Sequence, residues 1–115
     1  MISSFTSGRK AEAAAANYLV MRGYKIIERN WRTARCEIDV IAEKDGTAYL
    51  VEVKYRGSNN QGSGLEYITP SKLKQMRFAA QMWVEETEWT GDFQLAAIEL
   101  AGLDCVVLQF IDNVF

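Results

Sequence analysis

Residues 37–56, EIDVIAEKDGTAYLVEVKYR, carry the pattern that decides the fold. Apolar and polar residues alternate on both sides of Asp45-Gly46, which is the period of two expected of β-strands. An Asp-Gly pair between two such segments is a strong signal for a two-residue type I′ turn, because both central residues need a positive φ. The stretch therefore predicts an antiparallel β-hairpin that turns at these two residues.

The turn sets the register of the hairpin and brings acidic residues together. Counting back from it places Asp39 opposite Glu52, and Glu37 opposite Lys54. Opposed residues have Cβ atoms about 5 Å apart, so two like charges there are destabilising unless a cation lies between them. Hard divalent cations such as Mg²⁺ and Mn²⁺ bind carboxylate oxygens, so the register predicts a metal site at Asp39 and Glu52, with Lys54 on the same face. The alternative is a solvated outer face on which Glu37 and Lys54 form an ordinary cross-strand ion pair.

Length and composition limit the classes of protein to consider. The 115 residues are predicted to form one domain, 1–115, and a chain of this size buries roughly two thirds of its unfolded surface. Apolar residues make up 49% of the chain, yet no apolar run approaches the roughly 20 residues of a membrane span, and the N-terminal segment has no signal-peptide core. We therefore expect a cytoplasmic protein without a membrane partner.

The chain contains no histidine, and its two cysteines, Cys36 and Cys105, do not form a CxxC motif. The absence of histidine excludes Ser-His and Cys-His nucleophilic schemes and histidine-ligated zinc. The cysteines are expected to be reduced core thiols rather than a disulfide framework or a zinc site. Carboxylates and lysines remain as the groups available for chemistry.

Charge is unevenly distributed, although the net charge is only −2. Residues 9–35 hold seven basic and two acidic residues, whereas residues 85–115 hold seven acidic residues and no basic one. A basic end of this kind binds polyanions with a salt-dependent affinity, but arginines scattered over a solvated helix and loop would give the same pattern. On the first interpretation, the residues that contact nucleic acid are Arg9, Lys10, Arg29, Arg32 and Arg35.

The remaining pattern predicts a mixed sheet with a helix on each side, an α/β fold. Gly23 is the expected stop of the first helix, and Thr69-Pro70 is the expected N-cap and first helical position of the second. The predicted elements, in chain order, are helix 8–22, strand 24–29, the two hairpin strands, a glycine-rich loop over 57–64, a helix from 70 to about 88, and strands 93–100 and 105–111.

The order of these acidic and basic residues resembles that of a known nuclease superfamily. An acidic residue on the first helix, an Asp, and then a Glu-x-Lys on the next strand, here Glu12, Asp39, Glu52 and Lys54, is similar to the PD-(D/E)xK, or restriction endonuclease-like, superfamily. A closer resemblance is to the YraN-like family of small bacterial proteins of uncharacterised function, whose nearest nuclease relatives are archaeal Holliday junction resolvases. The motifs that carry it are Gly8-Arg9, Ala11-Glu12, Tyr18-Leu19, Gly23-Tyr24, Asn30-Trp31-Arg32, residues 37–42, residues 51–56 and Ser71-Lys72.

The resemblance implies a restriction endonuclease-like αβββαβ core and a Mg²⁺- or Mn²⁺-dependent endonuclease. Its expected substrate is DNA ahead of RNA, with branched DNA included. Glu12, Asp39 and Glu52 are then metal ligands, and Lys54 completes the catalytic set. Arg56 and Lys72 belong to the quoted motifs and are expected to join the nucleic-acid-binding residues. Because the resolvases act as dimers, a homodimer is expected by analogy.

Three positions depart from the family pattern, and two other functions stay open. Ala11 and Cys36 stand where glycine is usual, and Gln94 stands where the family has the aspartate of an Arg-Phe-Asp motif. One alternative is a non-catalytic nucleic-acid-binding module that keeps the nuclease fold. The other is a partner-binding domain that uses the acidic and basic face for ion pairs alone. Cleavage separates the nuclease from the first alternative, and metal binding separates it from the second.

Overall fold

The computed structural model describes residues 4–57 and 68–114, which form two helices and one five-stranded sheet. The elements are α1 (Ser4–Met21), β1 (Lys25–Arg32), β2 (Glu37–Lys44), β3 (Thr47–Arg56), α2 (Pro70–Thr87), β4 (Asp92–Ala101) and β5 (Val106–Ile111). The strands lie side by side in chain order, with β3 and β4 parallel and the other neighbours antiparallel. The predicted element order and the mixed sheet are confirmed.

The hairpin of β2 and β3 turns where the sequence predicts. Asp45 and Gly46 have φ values of 52° and 83°, the positive values that a type I′ turn requires. The predicted register holds from the turn as far as the pair Val40 and Val51. The hairpin occupies the interior of the sheet, since β1 lies outside β2 and β4 lies outside β3.

Two predicted boundaries near the N-terminus are wrong. The first helix begins at Ser4 rather than at residue 8, and β1 runs from Lys25 to Arg32 rather than over 24–29. Most residues of β1 are exposed because it is an edge strand, so alternation of apolar residues does not mark its end. The predicted loop over 57–64 lies outside the described residues from residue 58 onward.

One helix covers each face of the sheet, as predicted. The α1 face buries a cluster that includes Ala15, Leu19, Val40, Val51 and Ile98. The α2 face buries a cluster that includes Trp31, Ile41, Leu50, Met76 and Trp83. Strands buried on both faces are typical of a sheet whose parallel pair is joined by a crossover helix.

Helix α2 begins with the predicted cap. The Thr69 hydroxyl accepts the backbone N–H of Lys72 at 3.1 Å, and Pro70 occupies the first helical position. The helix is the crossover between β3 and β4, so its first turns lie beside the carboxyl-terminal half of β3. In the described part of the chain, neither helix combines the length and hydropathy needed to cross a membrane.

Candidate metal and nucleic-acid site

The regular alternation of β2 breaks at Asp39. Ile38 packs on the α2 face and Val40 on the α1 face, although residues two apart in a regular strand share one face. The facing position of β1 is Asn30, whose φ of 55° lies in the left-handed region. Asparagine is one of the few residues that adopts this conformation readily. The irregularity in both strands therefore sets the direction in which Asp39 leaves the sheet.

The Asp39 carboxylate replaces a backbone acceptor of the hairpin. Its Oδ2 accepts the N–H of Val53 at 2.8 Å, and the ladder between β2 and β3 ends two residues earlier. Continued pairing would have given that N–H to the Ile38 carbonyl. The predicted direct pairing of Asp39 with Glu52 in the ladder is therefore not formed, because the side chain of Asp39 takes the place of a backbone acceptor for Val53.

Glu37 also differs from its predicted position. It pairs with Arg32 across β1 and β2, and the carboxylate lies 3.7 Å from the guanidinium. Both side chains are exposed, so this ion pair contributes little to stability. The cross-strand pair of Glu37 with Lys54, which the alternative interpretation required, lies beyond the end of the β2–β3 ladder.

Asp39 and Glu52 nevertheless line one cleft of about 660 Å³. Its walls come from the β1–β2 connection, from β2 and β3, and from the first turns of α2. Cationic side chains of Arg35, Lys72 and Lys74 line the same cleft. The structure thus brings two of the predicted metal ligands together with basic residues.

Burial and neighbouring carboxylates raise the pKa of Asp39 from 3.8 to about 7. Burial is the largest cause and the charge of Glu52 is the second, while Glu12 and Glu37 add smaller increases. The hydrogen bond from Val53 acts in the opposite direction. A divalent cation would compensate the negative charge that these carboxylates concentrate in the cleft. The donor set fits Mg²⁺ or Mn²⁺, since Mg²⁺ commonly uses one or two protein carboxylates and keeps several waters.

Glu12 reaches this region from α1 and is not part of the cleft lining. Its Oε1 accepts a hydrogen bond of 2.6 Å from Nδ2 of Asn30, the residue that faces Asp39. Within residues 4–57 and 68–114, no three histidine, cysteine, aspartate or glutamate side chains form a group able to hold a metal ion. Glu12 is therefore linked to the site through Asn30 rather than gathered with Asp39 and Glu52.

Lys54 lies two residues beyond Glu52 on β3 and is half-buried. Its partner in the parallel ladder is Glu99 of β4, a fully buried glutamate that sequence reasoning missed. The signal was an acidic residue inside the otherwise apolar run over residues 95–101 of β4. Glu99 Oε2 accepts a hydrogen bond from Nε of Arg56, and Oε1 has no hydrogen-bond partner among the described residues.

Arg56 was among the predicted nucleic-acid-binding residues. Its side chain is only 14% exposed because of the pairing with Glu99. This position suits a structural ion pair better than a contact with a phosphate.

The other predicted nucleic-acid-binding residues lie in two places. Arg35 and Lys72 line the cleft, where the Arg35 guanidinium lies 5.1 Å from the ring centre of Phe78 and Lys72 Nζ lies 2.9 Å from Oε2 of Glu52. The remainder are exposed and lie outside the cleft lining: Arg9, Lys10, Arg29 and Arg32. Trp31, which lies between Arg29 and Arg32 in the sequence, is a core residue whose indole N–H donates a hydrogen bond of 2.8 Å to the Glu86 carboxylate.

The three departures from the family pattern are accommodated locally. Ala11 is fully buried against the sheet, and Cys36 lines the cleft with its Sγ 3.4 Å from Oγ1 of Thr33. Neither has a positive φ, so neither position requires glycine. Gln94 lines a separate cavity with Phe93 rather than the Asp39 cleft. Both cysteines are free and half-buried.

Residues 11–108 match the model of the uncharacterised protein family UPF0102. The chain belongs to this family. The UPF0102 protein of Clavibacter michiganensis subsp. michiganensis (strain NCPPB 382) is 42% identical over 78 residues, which cover 68% of this chain and 66% of that protein. The UPF0102 protein of Prosthecochloris aestuarii (strain DSM 271 / SK 413) is 49% identical over 69 residues, or 60% and 54% of the two chains. The UPF0102 protein of Chlorobium limicola (strain DSM 245 / NBRC 103803 / 6330) is 41% identical over 100 residues, or 84% and 78%.

The matched part of this UPF0102 protein thus spans about two thirds and about half of the lengths of the first two relatives. The predicted YraN-like membership is confirmed. The family description names no activity, so the function must be argued from the cleft.

Proposed function

We propose that this UPF0102 protein is a Mg²⁺- or Mn²⁺-dependent nuclease that hydrolyses phosphodiester bonds in DNA, with branched DNA among its substrates. The observation that carries the proposal is that Asp39 and Glu52, from adjacent strands, line one cleft with Arg35, Lys72 and Lys74. Carboxylates beside cationic side chains suit a reaction that needs both a metal ion and a polyanionic substrate. The resemblance of Glu12, Asp39, Glu52 and Lys54 to the PD-(D/E)xK pattern supports the same conclusion.

Asp39 and Glu52 would hold the metal ion, which supplies positive charge to the scissile phosphate and a bound water of lowered pKa. The hydrogen bond from Val53 uses only Oδ2 of Asp39 and fixes the direction of the carboxylate. Lys54, two residues beyond Glu52, would orient the attacking water and offset charge in the transition state. Glu12 would act as a positioning residue, because its hydrogen bond to Asn30 supports the strand segment that faces Asp39.

The basic residues would position the DNA without reading its sequence. Arg35, held over the Phe78 ring, and the lysines of α2 would contact phosphates at the cleft, and the exposed arginines of β1 would extend this contact. Phosphate contacts carry no direct sequence information, so selectivity would come from the shape of the DNA. A homodimer is proposed by analogy with the resolvases, and sedimentation equilibrium measures it.

The test is incubation of the purified protein with linear, flapped and four-way DNA, and with a matched RNA duplex, in Mg²⁺ or Mn²⁺. We expect the parent to cleave DNA and Asp39→Asn to be inactive. Asp104→Asn makes the same chemical change at an exposed position between β4 and β5, and it should cleave like the parent. Absence of cleavage in every mixture would contradict the proposal.

A second candidate is a nucleic-acid-binding module that keeps the fold without turnover. It is favoured by the bond of Glu12 to Asn30 and by the absence of a three-ligand acidic cluster within the described ranges. Fluorescence anisotropy measures binding and the cleavage assay measures turnover, and together they separate the candidates, because this module would bind DNA and leave it intact. A parent protein that binds neither DNA nor RNA at low salt would instead support a partner-binding domain.

A further inference from the structure

We propose that the Lys72 ammonium neutralises Glu52 until a divalent ion binds there. The ion displaces Lys72 from Glu52, and Lys72 then binds a phosphate of the nucleic acid. This inference rests on the proposed metal site and deepens it. It gives one lysine of α2 a role in coupling metal binding to DNA binding. The role differs from that of Lys54, which lies on β3 beyond Glu52.

The ion pair of Lys72 with Glu52 joins α2 to β3 inside the cleft. Its two charged atoms are 2.9 Å apart, and the side chains are 34% and 21% exposed. The backbone of Lys72 is held by the Thr69 cap, so its Cα position is fixed by the start of the helix. The four-carbon side chain can still change its rotamer at little cost. The Lys72 ammonium can therefore move while the backbone of Lys72 stays in place.

A divalent ion and the Lys72 ammonium compete for the same carboxylate. A metal ion held by Glu52 would compete for the carboxylate oxygen that the Lys72 ammonium now contacts at 2.9 Å. Two cations this close repel each other, and water screens the repulsion less in a partly covered cleft than at the open surface. Metal binding at Glu52 should therefore break the ion pair.

The displaced ammonium would stay in a cleft that Arg35 and Lys74 also line. A phosphate of the bound DNA provides a new partner for Lys72, so DNA reduces the cost of displacing it. By thermodynamic linkage, DNA then tightens metal binding and the metal tightens DNA binding by the same factor. Lys74 is the matched control, because it has the same charge, is exposed and lines the same cleft.

The experiment is a titration with Mn²⁺ alone, in which electron paramagnetic resonance measures the unbound ion. Without DNA, Lys72→Met should bind Mn²⁺ about fivefold more tightly than the parent, the size expected for loss of a competing, partly exposed ion pair. Lys74→Met and Lys72→Arg should bind like the parent, since both keep a cation on Glu52. Lys72→Gln is the second neutral variant, and circular dichroism checks that each protein folds.

The coupling is measured by repeating the titration with a short DNA duplex in a Lys54→Ala background, in which we expect no turnover, and gel electrophoresis checks that the duplex stays intact. DNA should tighten Mn²⁺ binding about fivefold with Lys72 present and less than about twofold with Met in its place. Equal effects of Lys72→Met and Lys74→Met, or unchanged Mn²⁺ affinity in both neutral Lys72 variants, would overturn the inference. If Asp39→Asn binds Mn²⁺ like the parent, or the parent binds none, the proposed metal site itself fails, whatever Lys72 does.

Discussion

Replacement of Asp39 by asparagine should stabilise the protein at about pH 8 when EDTA keeps divalent ions away. The substitution removes the negative charge of Asp39 from the cleft. It keeps a side-chain oxygen that can accept the hydrogen bond from the N–H of Val53, which is 2.8 Å long in the parent. The two side chains have nearly the same size and shape. The change in free energy of unfolding therefore reports mainly the charge of Asp39.

The magnitude follows from the raised pKa of Asp39. Because the pKa is higher in the folded protein than in the unfolded chain, the folded state binds the proton more tightly, so this contribution to stability is present below about pH 4 and is lost as the pH rises to about 7. A rise from 3.8 to about 7 sets an upper limit of about 4 kcal/mol, at about 1.4 kcal/mol for each pKa unit. Since part of the side chain reaches solvent, we expect about 2 kcal/mol of extra stability for Asp39→Asn at about pH 8, and about 0.5 kcal/mol or less at about pH 4.

Urea denaturation of the parent and of Asp39→Asn at both pH values measures this difference. Asp104→Asn is the control for a change of charge at an exposed aspartate, and its effect should stay within about 0.5 kcal/mol at either pH. Asp39→Asn that is less stable than the parent at pH 8, or that shifts stability equally at both pH values, would refute the argument that an uncompensated charge lies in the cleft.

Three further predictions concern the neighbouring charges. The parent and Lys54→Ala should both melt at a higher temperature in Mn²⁺ than in EDTA, but Lys54→Ala should lose DNA cleavage, because its proposed partner is water rather than the metal; cleavage at the parental rate would contradict this role. Glu99→Gln should lower the free energy of unfolding by about 3 kcal/mol in urea, since it removes the buried negative charge that pairs with the largely buried Arg56 guanidinium; a loss under about 1 kcal/mol would show that the pair contributes little. A triple alanine variant should bind DNA more weakly and make the slope of log affinity against log salt shallower by up to about 3, at about 0.9 for each phosphate contact, when anisotropy is measured at several salt concentrations; an unchanged slope would place the interface elsewhere. Its three substitutions are at Arg29, Arg32 and Arg35.

Local rules were sufficient for the turn and for the second helix. The turn at Asp45-Gly46 depends on two residues that adopt positive φ, and the start of α2 depends on the Thr69 hydroxyl and on Pro70. The physical causes in both cases lie within four residues of the feature. The same is true of the register near the turn. The two turn residues fix the pairing of β2 with β3 as far as Val40 and Val51.

The face of the candidate site could also be predicted in part. Asp39 and Glu52 were expected to lie together, and the cleft contains both. The expected reason, a direct pairing in the ladder, was wrong because alternation assumes a regular strand, whereas Asn30 and Asp39 lie in a region where the strand is irregular. An asparagine beside a tryptophan in an exposed strand is a weak signal for that irregularity, since many asparagines keep a negative φ.

Only the tertiary structure decided which distant segments of the chain contact each other. Lys72 reaches Glu52 because the crossover helix returns along β3, and Glu99 lies beside Lys54 because β4 adds parallel to β3. The residues next to Lys72 or Glu99 in the chain do not specify which distant residue each of them contacts. Such contacts depend on which face each helix covers and on where each strand ends, and both follow from burying the apolar residues of the whole chain at once. The sequence by itself therefore determined the element order and the types of charged residue available, whereas the packing of α2 on the sheet determined which of those charges meet in one cleft.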